Sequence, residues 1–569
     1  MRTSERLGGH TTSPGRKSAV AGVESTVGRV VERLRWLRTP EPVAEPFVPG
    51  ETRLGRALFW PGLIGALGSL LVLWGASQPT SPFTLDQQTL STLGDPAIPF
   101  GVRLWFFGTG TGGPNELIGV VAVYAGMFLM IRAWMSLARL TRHHPGTPIR
   151  KFVPVFIAWL LPLLVVAPLF SHDAFSYVAQ GEEMTHNMNP YIYPPSILGV
   201  GGNPYATLVD HWWAGVTSPY GPIFLAAAGG TVAFVHHLTS NPATIELLAL
   251  IGFRLLAVFG VVLLGIYTPR LARSYGRDPA KAFVLVALNP LVLLHLVAGE
   301  HNDAIMMGLL VAGLALARER HPLLGVMLCT LAGLVKVPAL IGVVYIGWDW
   351  AGIGVPWRAR VAPTAKALAA SAVTMVAVTY AVGIGWGWVG SLLTPGSVTS
   401  WMDPATGIGS LAGRIVSAVG LGDHTSTIVG IAHGIGLAAA AVVAIWLLLR
   451  SDGGISSLRA IGLTMLAVVV LGPVIQPWYF VWGVVLLAPI AEGRLRAVLV
   501  VLSAVMSYLG LPGGVKLLDY IGGHPLALLV AVAVLLTVGL LSFGPRVHEV
   551  VKLRRARVVA GLAVPRDGS

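Results

Sequence analysis

One cysteine, Cys329, stands in 569 residues, so the chain holds no internal disulfide, and its place in an apolar run makes it an inert buried thiol. Charge is equally scarce. Asp, Glu, Lys and Arg make up 11% of the chain against 54% hydrophobic residues, where soluble domains carry about 25% charged residues. Together with a mean hydropathy of +0.72, that excludes an ordinary soluble domain. The apolar runs are continuous rather than alternating, which excludes a transmembrane β-barrel. Residues 1–56 have no apolar core of the kind a cleaved signal peptide needs. No internal repeat is visible, which argues against the paired halves of many transporters.

What is present is a long series of apolar segments, and these predict an all-α polytopic membrane protein of roughly 13–15 passes. Its 69 glycines and 39 prolines suit membrane helices, which tolerate both. The net charge of +13 resides in the tails and a few short loops. It therefore reads as topology, and no nucleic-acid partner is expected. The positive-inside rule places residues 139–151, 269–281, 317–321, 356–360, 450–459 and 492–496 in the cytoplasm, with both termini. Three regions follow: a basic, largely disordered tail at 1–56, a transmembrane catalytic domain at 57–543, and a basic tail at 544–569. Within the first tail, 27–38 reads either as a basic amphipathic helix at the membrane surface or as a solvated charge run. Passes are expected at 57–77, 117–137 and 152–170, then near 247–268, 282–298, 304–318, 322–336, 339–348, 366–388, 427–449, 460–474, 479–491, 497–511 and 524–543. Several are short enough to be half-helices lining a cavity. Parity requires that one of 223–239 and 247–268 be re-entrant or interfacial, and 223–246 is taken to be that one.

Residues 171–222 then fall on the extracytoplasmic side. They read SHDAFSYVAQGEEMTHNMNPYIYPPSILGVGGNPYATLVDHWWAGVTSPYGP and contain no Lys or Arg. So aromatic a stretch is not a disordered linker, and loops of this length are commonly functional. An ordered loop carrying an active site is expected. The scarce ionisable groups of the apolar segments converge at the same depth, and each is a functional candidate because of its insertion cost. Asp173 opens the loop, Arg254 lies near the outer end of its helix, and the His301, Asn302 and Asp303 turn joins two passes. Lys336 sits at a break between half-helices, Arg414 in the 389–426 loop, and Trp478 and Tyr479 at the end of another pass. A carboxylate there can accept the proton of an attacking hydroxyl, cations can hold a phosphate, and aromatic faces can pack on a sugar. Every candidate has a second reading. Asp173 could cap its helix, and the 301–303 turn could cap the next. Arg254 and Lys336 could snorkel, Arg414 could be a plain loop cation, and Trp478 and Tyr479 could be belt anchors. Glu182 and Glu183 read as a solvated helix face. His172, His186 and His211 match no zinc spacing, so no metal is expected.

The motifs SYVAQG (176–181), NPYIYPP (189–195), NPY (203–205), SPYGP (218–222), GEHNDAIMMG (299–308), LVKVPAL (334–340) and QPWY (476–479) resemble, in this order, the actinobacterial polyprenol-phosphomannose-dependent α-(1→6)-mannosyltransferases. The likeness covers about residues 57–543 and is nearer to the MptB-like branch. It implies a GT-C fold in the plasma membrane with the active site on the extracytoplasmic face. It also implies a polyprenyl-phosphate-mannose donor and a mannan acceptor on a phosphatidylinositol-mannoside type anchor, as in lipomannan and lipoarabinomannan assembly. An α product from a β donor implies inversion by single displacement, with Asp173 as base. Tyr177, Gln180 and Tyr220 lie in the matching motifs and are taken as substrate-binding. The loop lacks a DxD pattern, so metal independence is expected, and no cofactor. Two alternatives stand beside this reading: transfer of another polyprenol-linked sugar such as arabinose or glucose, and transport of a lipid-linked sugar.

Overall fold

Proline marks where many of the helices begin. Its fixed φ and missing N–H suit the first helical position, and a preceding Asn or Asp supplies the cap. Asn241 accepts from Thr244 N (2.9 Å), Asp278 from Ala280 N (2.8 Å), and Asp403 from Ala405 N and Thr406 N (3.0 and 2.9 Å). The computed structural model describes residues 51–78, 116–391 and 402–510, with Ser81, Phe83 and Leu93. Residues 1–50 and 511–569, with the segment 27–38 and the pass expected at 524–543, lie outside the described residues, as does most of 78–116.

The elements are α1 (Glu51–Ala76), α2 (Glu116–His143), α3 (Val153–Leu163), α4 (Asp173–Thr185), α5 (Pro222–His236), α6 (Pro242–Ser274), α7 (Pro279–Val286) and α8 (Asp303–Arg318). They continue with α9 (Pro322–Gly333), α10 (Ile341–Trp350), α11 (Trp357–Val382), α12 (Pro404–Ala418), α13 (Thr425–Leu449), α14 (Ile455–Leu471), α15 (Phe480–Leu487) and α16 (Gly493–Tyr508). A π-helical turn, Val292–Ala298, stands before α8. No strand occurs among the described residues. Five helical stretches there are long and apolar enough to cross a membrane: Gly55–Ala76, Ile118–His143, Pro242–Ser274, Trp357–Val382 and Thr425–Leu449. Shorter apolar helices stand between them, α5 included. The protein is an all-α polytopic membrane protein.

Three expectations need correction. The pass expected at 152–170 stops being helical at Leu163, because the Leu163 and Val166 carbonyls are taken by the Arg254 guanidinium instead of by the next helical turn. The span expected at 366–388 begins at Trp357, since Pro356 starts a helix there rather than closing a loop. The 389–426 loop contains a helix, α12.

The basic loops gather at one end of the bundle. Gly146 N donates to Asp278 (3.0 Å), Lys281 to Glu492 (3.1 Å), Arg270 to Glu319, Arg360 to the Asp452 carbonyl (3.0 Å), and Arg496 to the Ala138 carbonyl. The segment 171–222 sits at the other end and is folded. Its first part, α4, packs on α5 and α6 and is buried along Ala174–Glu183. Burial of Glu182 and Glu183 corrects their reading as a solvated face. Close backbone contact brings α6 and α8 together: a Cβ on Gly260 would lie 2.3 Å from the Ala304 carbonyl oxygen, the small-residue packing common in membrane bundles.

Candidate active site

The end of the bundle opposite the basic loops is built from four interruptions in helical structure. These are the residues before α4, the π-helical turn and bend before α8, the break between α9 and α10, and the turn before α15. Phe170 and Glu300, one just before each of the first two segments' functional residues, have positive φ values of 67° and 57°, a conformation that is costly for residues with a Cβ. The two segments hold each other, with Leu169 N donating to the Ala298 carbonyl (3.0 Å). Arg254, buried on α6, binds the carbonyls of Leu163, Val166 and Ala298 and pairs with the Glu300 carboxylate.

On this frame Asp173 is the first residue of α4. It is not the cap: His172 holds that position without a side-chain bond. Instead Asp173 N donates to Ser171 Oγ (3.1 Å), and its carboxylate faces His301 Nδ1 at 3.4 Å. That is a charge contact without full hydrogen-bond alignment. The His301 ring lies flat on Trp478, centroids 3.8 Å apart at 15°. Asp303 accepts from Lys336 Nζ (3.1 and 2.9 Å) and from Trp482 Nε1 (2.6 Å). The Lys336 ammonium also lies 4.4 Å from the Tyr479 ring centroid. Asn302 occupies the cap position of α8 yet makes no capping bond. Both atoms of its amide are buried without a hydrogen-bond partner among the described residues, as is Trp478 Nε1.

Asp173 lies outside the membrane-spanning segments, and opposing influences act on it. Burial pushes its carboxyl up, but the His301 imidazole and the Lys336 ammonium hold it below the usual carboxylate range. It stands as a carboxylate.

Most of the residues expected at the site are therefore brought together: Asp173, His301, Asn302, Asp303, Lys336, Trp478 and Tyr479. Tyr177, one turn beyond Asp173, packs edge-on against Tyr220 (5.3 Å) and Phe224 (4.6 Å), and its hydroxyl also meets the Tyr220 hydroxyl and the backbone of Asn302. Gln180 accepts from Ser218 Oγ (3.1 Å) and so fastens the SPYGP segment to α4. Arg254 is committed to backbone carbonyls and Glu300, which is not the open cation expected beside a phosphate. Arg414 lies exposed on α12, which packs chiefly on α13 and not with the clustered residues. Trp482 was not among the expected site residues. Trp482 lies in the apolar run that follows PWY, and only the i+4 spacing from Trp478 marks it. Among the described residues no group of three or more His, Cys, Asp or Glu side chains is placed to hold a metal ion.

A partly buried carboxylate beside an ion pair and stacked aromatics, at one end of a helical membrane bundle, is an arrangement suited to group transfer at a membrane. The sequence comparisons agree. Residues 63–352 match the family model described as "Alpha-(1->6)-mannopyranosyltransferase, N-terminal domain", and residues 405–541 that of the "MptB C-terminal domain". The chain is similar to a protein of Mycolicibacterium smegmatis named as a probable α-(1→6)-mannopyranosyltransferase, 30% identical over 490 residues, covering 80% of this chain and 82% of that protein. It is 29% identical over 485 residues to an α-(1→6)-mannopyranosyltransferase of Mycobacterium tuberculosis (75% and 78% covered). It is 30% identical over 505 residues to α-(1→6)-mannopyranosyltransferase B of Corynebacterium glutamicum (81% and 78% covered). No solved structure matches it significantly. The chain belongs to the α-(1→6)-mannopyranosyltransferase family and is a membrane glycosyltransferase.

Proposed function

We propose that this chain transfers mannose from a polyprenyl-phosphate-mannose donor to the 6-hydroxyl of an α-(1→6)-mannan acceptor on a phosphatidylinositol-mannoside type lipid, at the extracytoplasmic face of the plasma membrane. The observation that carries the reading is the Asp173 carboxylate. It is free of any capping duty, held by His301, and set beside the Asp303–Lys336 pair. The family relatives are named for the same linkage.

The acceptor oxygen attacks the anomeric carbon while its proton passes to a carboxylate oxygen of Asp173. The bond from that carbon to the phosphate oxygen breaks, and polyprenyl phosphate leaves with the electron pair. Attack opposite the leaving group turns a β donor into an α product. Lys336 is the cation that meets the charge growing on the phosphate, where fixed electrostatics contribute most. The unmet amide of Asn302 and the indole N–H of Trp478 supply donors and an acceptor for sugar hydroxyls. The Tyr479 and Trp482 rings stack 4.6 Å apart and offer an apolar face to a pyranose ring.

The test uses full-length protein in liposomes with radiolabelled mannosyl-phosphoryl-polyprenol and a short α-(1→6)-mannoside. Wild type releases polyprenyl phosphate and extends the acceptor. Asp173→Asn, still folded, loses about 10²–10⁴ in kcat, the usual worth of a general base. Survival of transfer in that variant removes Asp173 from the role. Transfer only from an arabinosyl or glucosyl donor replaces the sugar.

A further inference from the structure

A cavity of about 350 Å³ lies at the basic end of the bundle. Its walls include Tyr275, Arg318, Arg320, Asp349, Trp350 and Ser457. None of the clustered active-site residues lines it. Helix α8 measures the separation: Asp303 begins it in the active site and Arg318 ends it in the cavity wall, which at 1.5 Å per residue is about 22 Å. Helices α9, α10 and α14 likewise give the cavity one end and run toward the active site with the other.

The chemistry of the walls is selective. Arg318 is held over the Tyr275 ring, 4.7 Å from its centroid. Its Nε is buried without a hydrogen-bond partner among the described residues, and so is Oδ1 of Asp349. The unmet Arg318 donor is costly and an anion answers it, while Asp349, whose carboxylate already meets Ser457 and the backbone of Gly454, keeps Oδ1 open to a ligand hydroxyl. Two guanidinium groups against one carboxylate favour an anion. A guanidinium binds phosphate and carboxylate alike through paired N–H···O bonds, and two of them suit the several acceptor oxygens and higher charge of a phosphate group. The volume lies at the low end for ligand cavities, so it admits a headgroup but not acyl chains.

We propose that this cavity is a second binding site, distinct from the catalytic one, for a hydroxylated phosphate ester, with the phosphate on Arg318 and Arg320 and a hydroxyl on Asp349. Phospholipid headgroups and soluble polyol phosphates share this chemistry.

The test reads binding without any sugar donor, so its outcome is independent of the transfer reaction proposed above. Full-length protein in phosphatidylcholine nanodiscs is titrated calorimetrically with glycerol 3-phosphate. In parallel, nanodiscs of graded phosphatidylglycerol content are read by native mass spectrometry for retained lipid. Binding of glycerol 3-phosphate identifies a soluble ligand, and retention of phosphatidylglycerol alone identifies a lipid headgroup. In either arm Arg318→Gln/Arg320→Gln weakens binding at least about tenfold, as expected from the loss of charged hydrogen bonds. Arg494→Gln, an exposed arginine at the same end, leaves it unchanged. Asp349→Asn gives a second variant in case the double substitution fails to fold, and it too weakens binding. The proposal is overturned if wild type binds neither probe, if the cavity variants bind as wild type does, or if Arg494→Gln weakens binding equally.

Discussion

At the scale of single residues, the candidate site depends on how a partly buried carboxylate is kept charged. Burial alone disfavours the charged form of Asp173; the His301 contact and the Lys336 charge outweigh it and bring the group below its ordinary value. The sign follows. A base must be ionised, so activity is present above the folded pKa and is lost as pH falls through it. In His301→Gln the stabilising imidazole is gone and the Asp173 pKa rises. The acid limb of kcat/KM in reconstituted transfer then moves to higher pH, while the plateau falls far less than in Asp173→Asn. An acid limb that stays in place would make His301 a packing residue only. These residues were legible in sequence because a charge in an apolar segment has few inexpensive reasons to be there. Arg254 passed the same filter and is something else. Its partner Glu300 is forty-six residues away in the chain, and nothing local announces that the two meet. Arg254→Gln should therefore lower the thermal stability of the detergent-solubilised protein by about 3–5 kcal/mol, the usual consequence of leaving a buried charge unpaired. A phosphate ligand would instead cost donor affinity and leave the fold intact.

At the scale of elements, the candidate active site is made where helices stop. Sequence showed the breaks at proline, as in LVKVPAL and QPWY, and showed several apolar runs short enough to be half-helices. It did not show that the third helix ends at Leu163. That ending depends on a side chain from α6 capturing carbonyls that would otherwise continue the helix. The strap from Ser218 to Ile223 is another such feature. Gly221 N donates to the Val335 carbonyl (3.0 Å) and Ile223 N to the Leu334 carbonyl (3.1 Å), so the strap lies directly against the break that presents Lys336. A Cβ on Gly221 would sit 2.1 Å from the Leu334 carbonyl oxygen, and all its near neighbours are Leu334 backbone, which cannot swing aside as a side chain would. Gly221→Ala should cost about 1–3 kcal/mol, as overpacking usually does, and should reduce transfer by displacing Lys336. Gly230→Ala on α5, with nothing within 4 Å of the new methyl, should be neutral or slightly stabilising, since Ala is the better helix former. Equal behaviour of the two variants in melting and in transfer would show that the strap does not position the lysine.

At the scale of the whole molecule, charge and chemistry are segregated. The loops picked out by their Lys and Arg content touch one another at one end, and the interrupted helices that carry the acids and aromatics meet at the other. A chain that inserts by the positive-inside rule would leave the first end in the cytoplasm and turn the second outward, toward lipid-linked sugar. The protein is well suited to a direct test, because its one cysteine, Cys329, is fully buried and should give little background with an impermeant maleimide. Val200, in the 171–222 segment, is 85% exposed, and Arg358, at the basic end, is exposed as well. In whole cells Val200→Cys should label from outside, and Arg358→Cys only after the membrane is opened. The opposite pattern would turn the bundle over. It would put Asp173 on the side where nucleotide-linked sugars are available, so the case for a polyprenyl-phosphate donor would lose its physical basis even if the catalytic geometry stood. Topology, more than any single side chain, therefore decides which donor this site can meet.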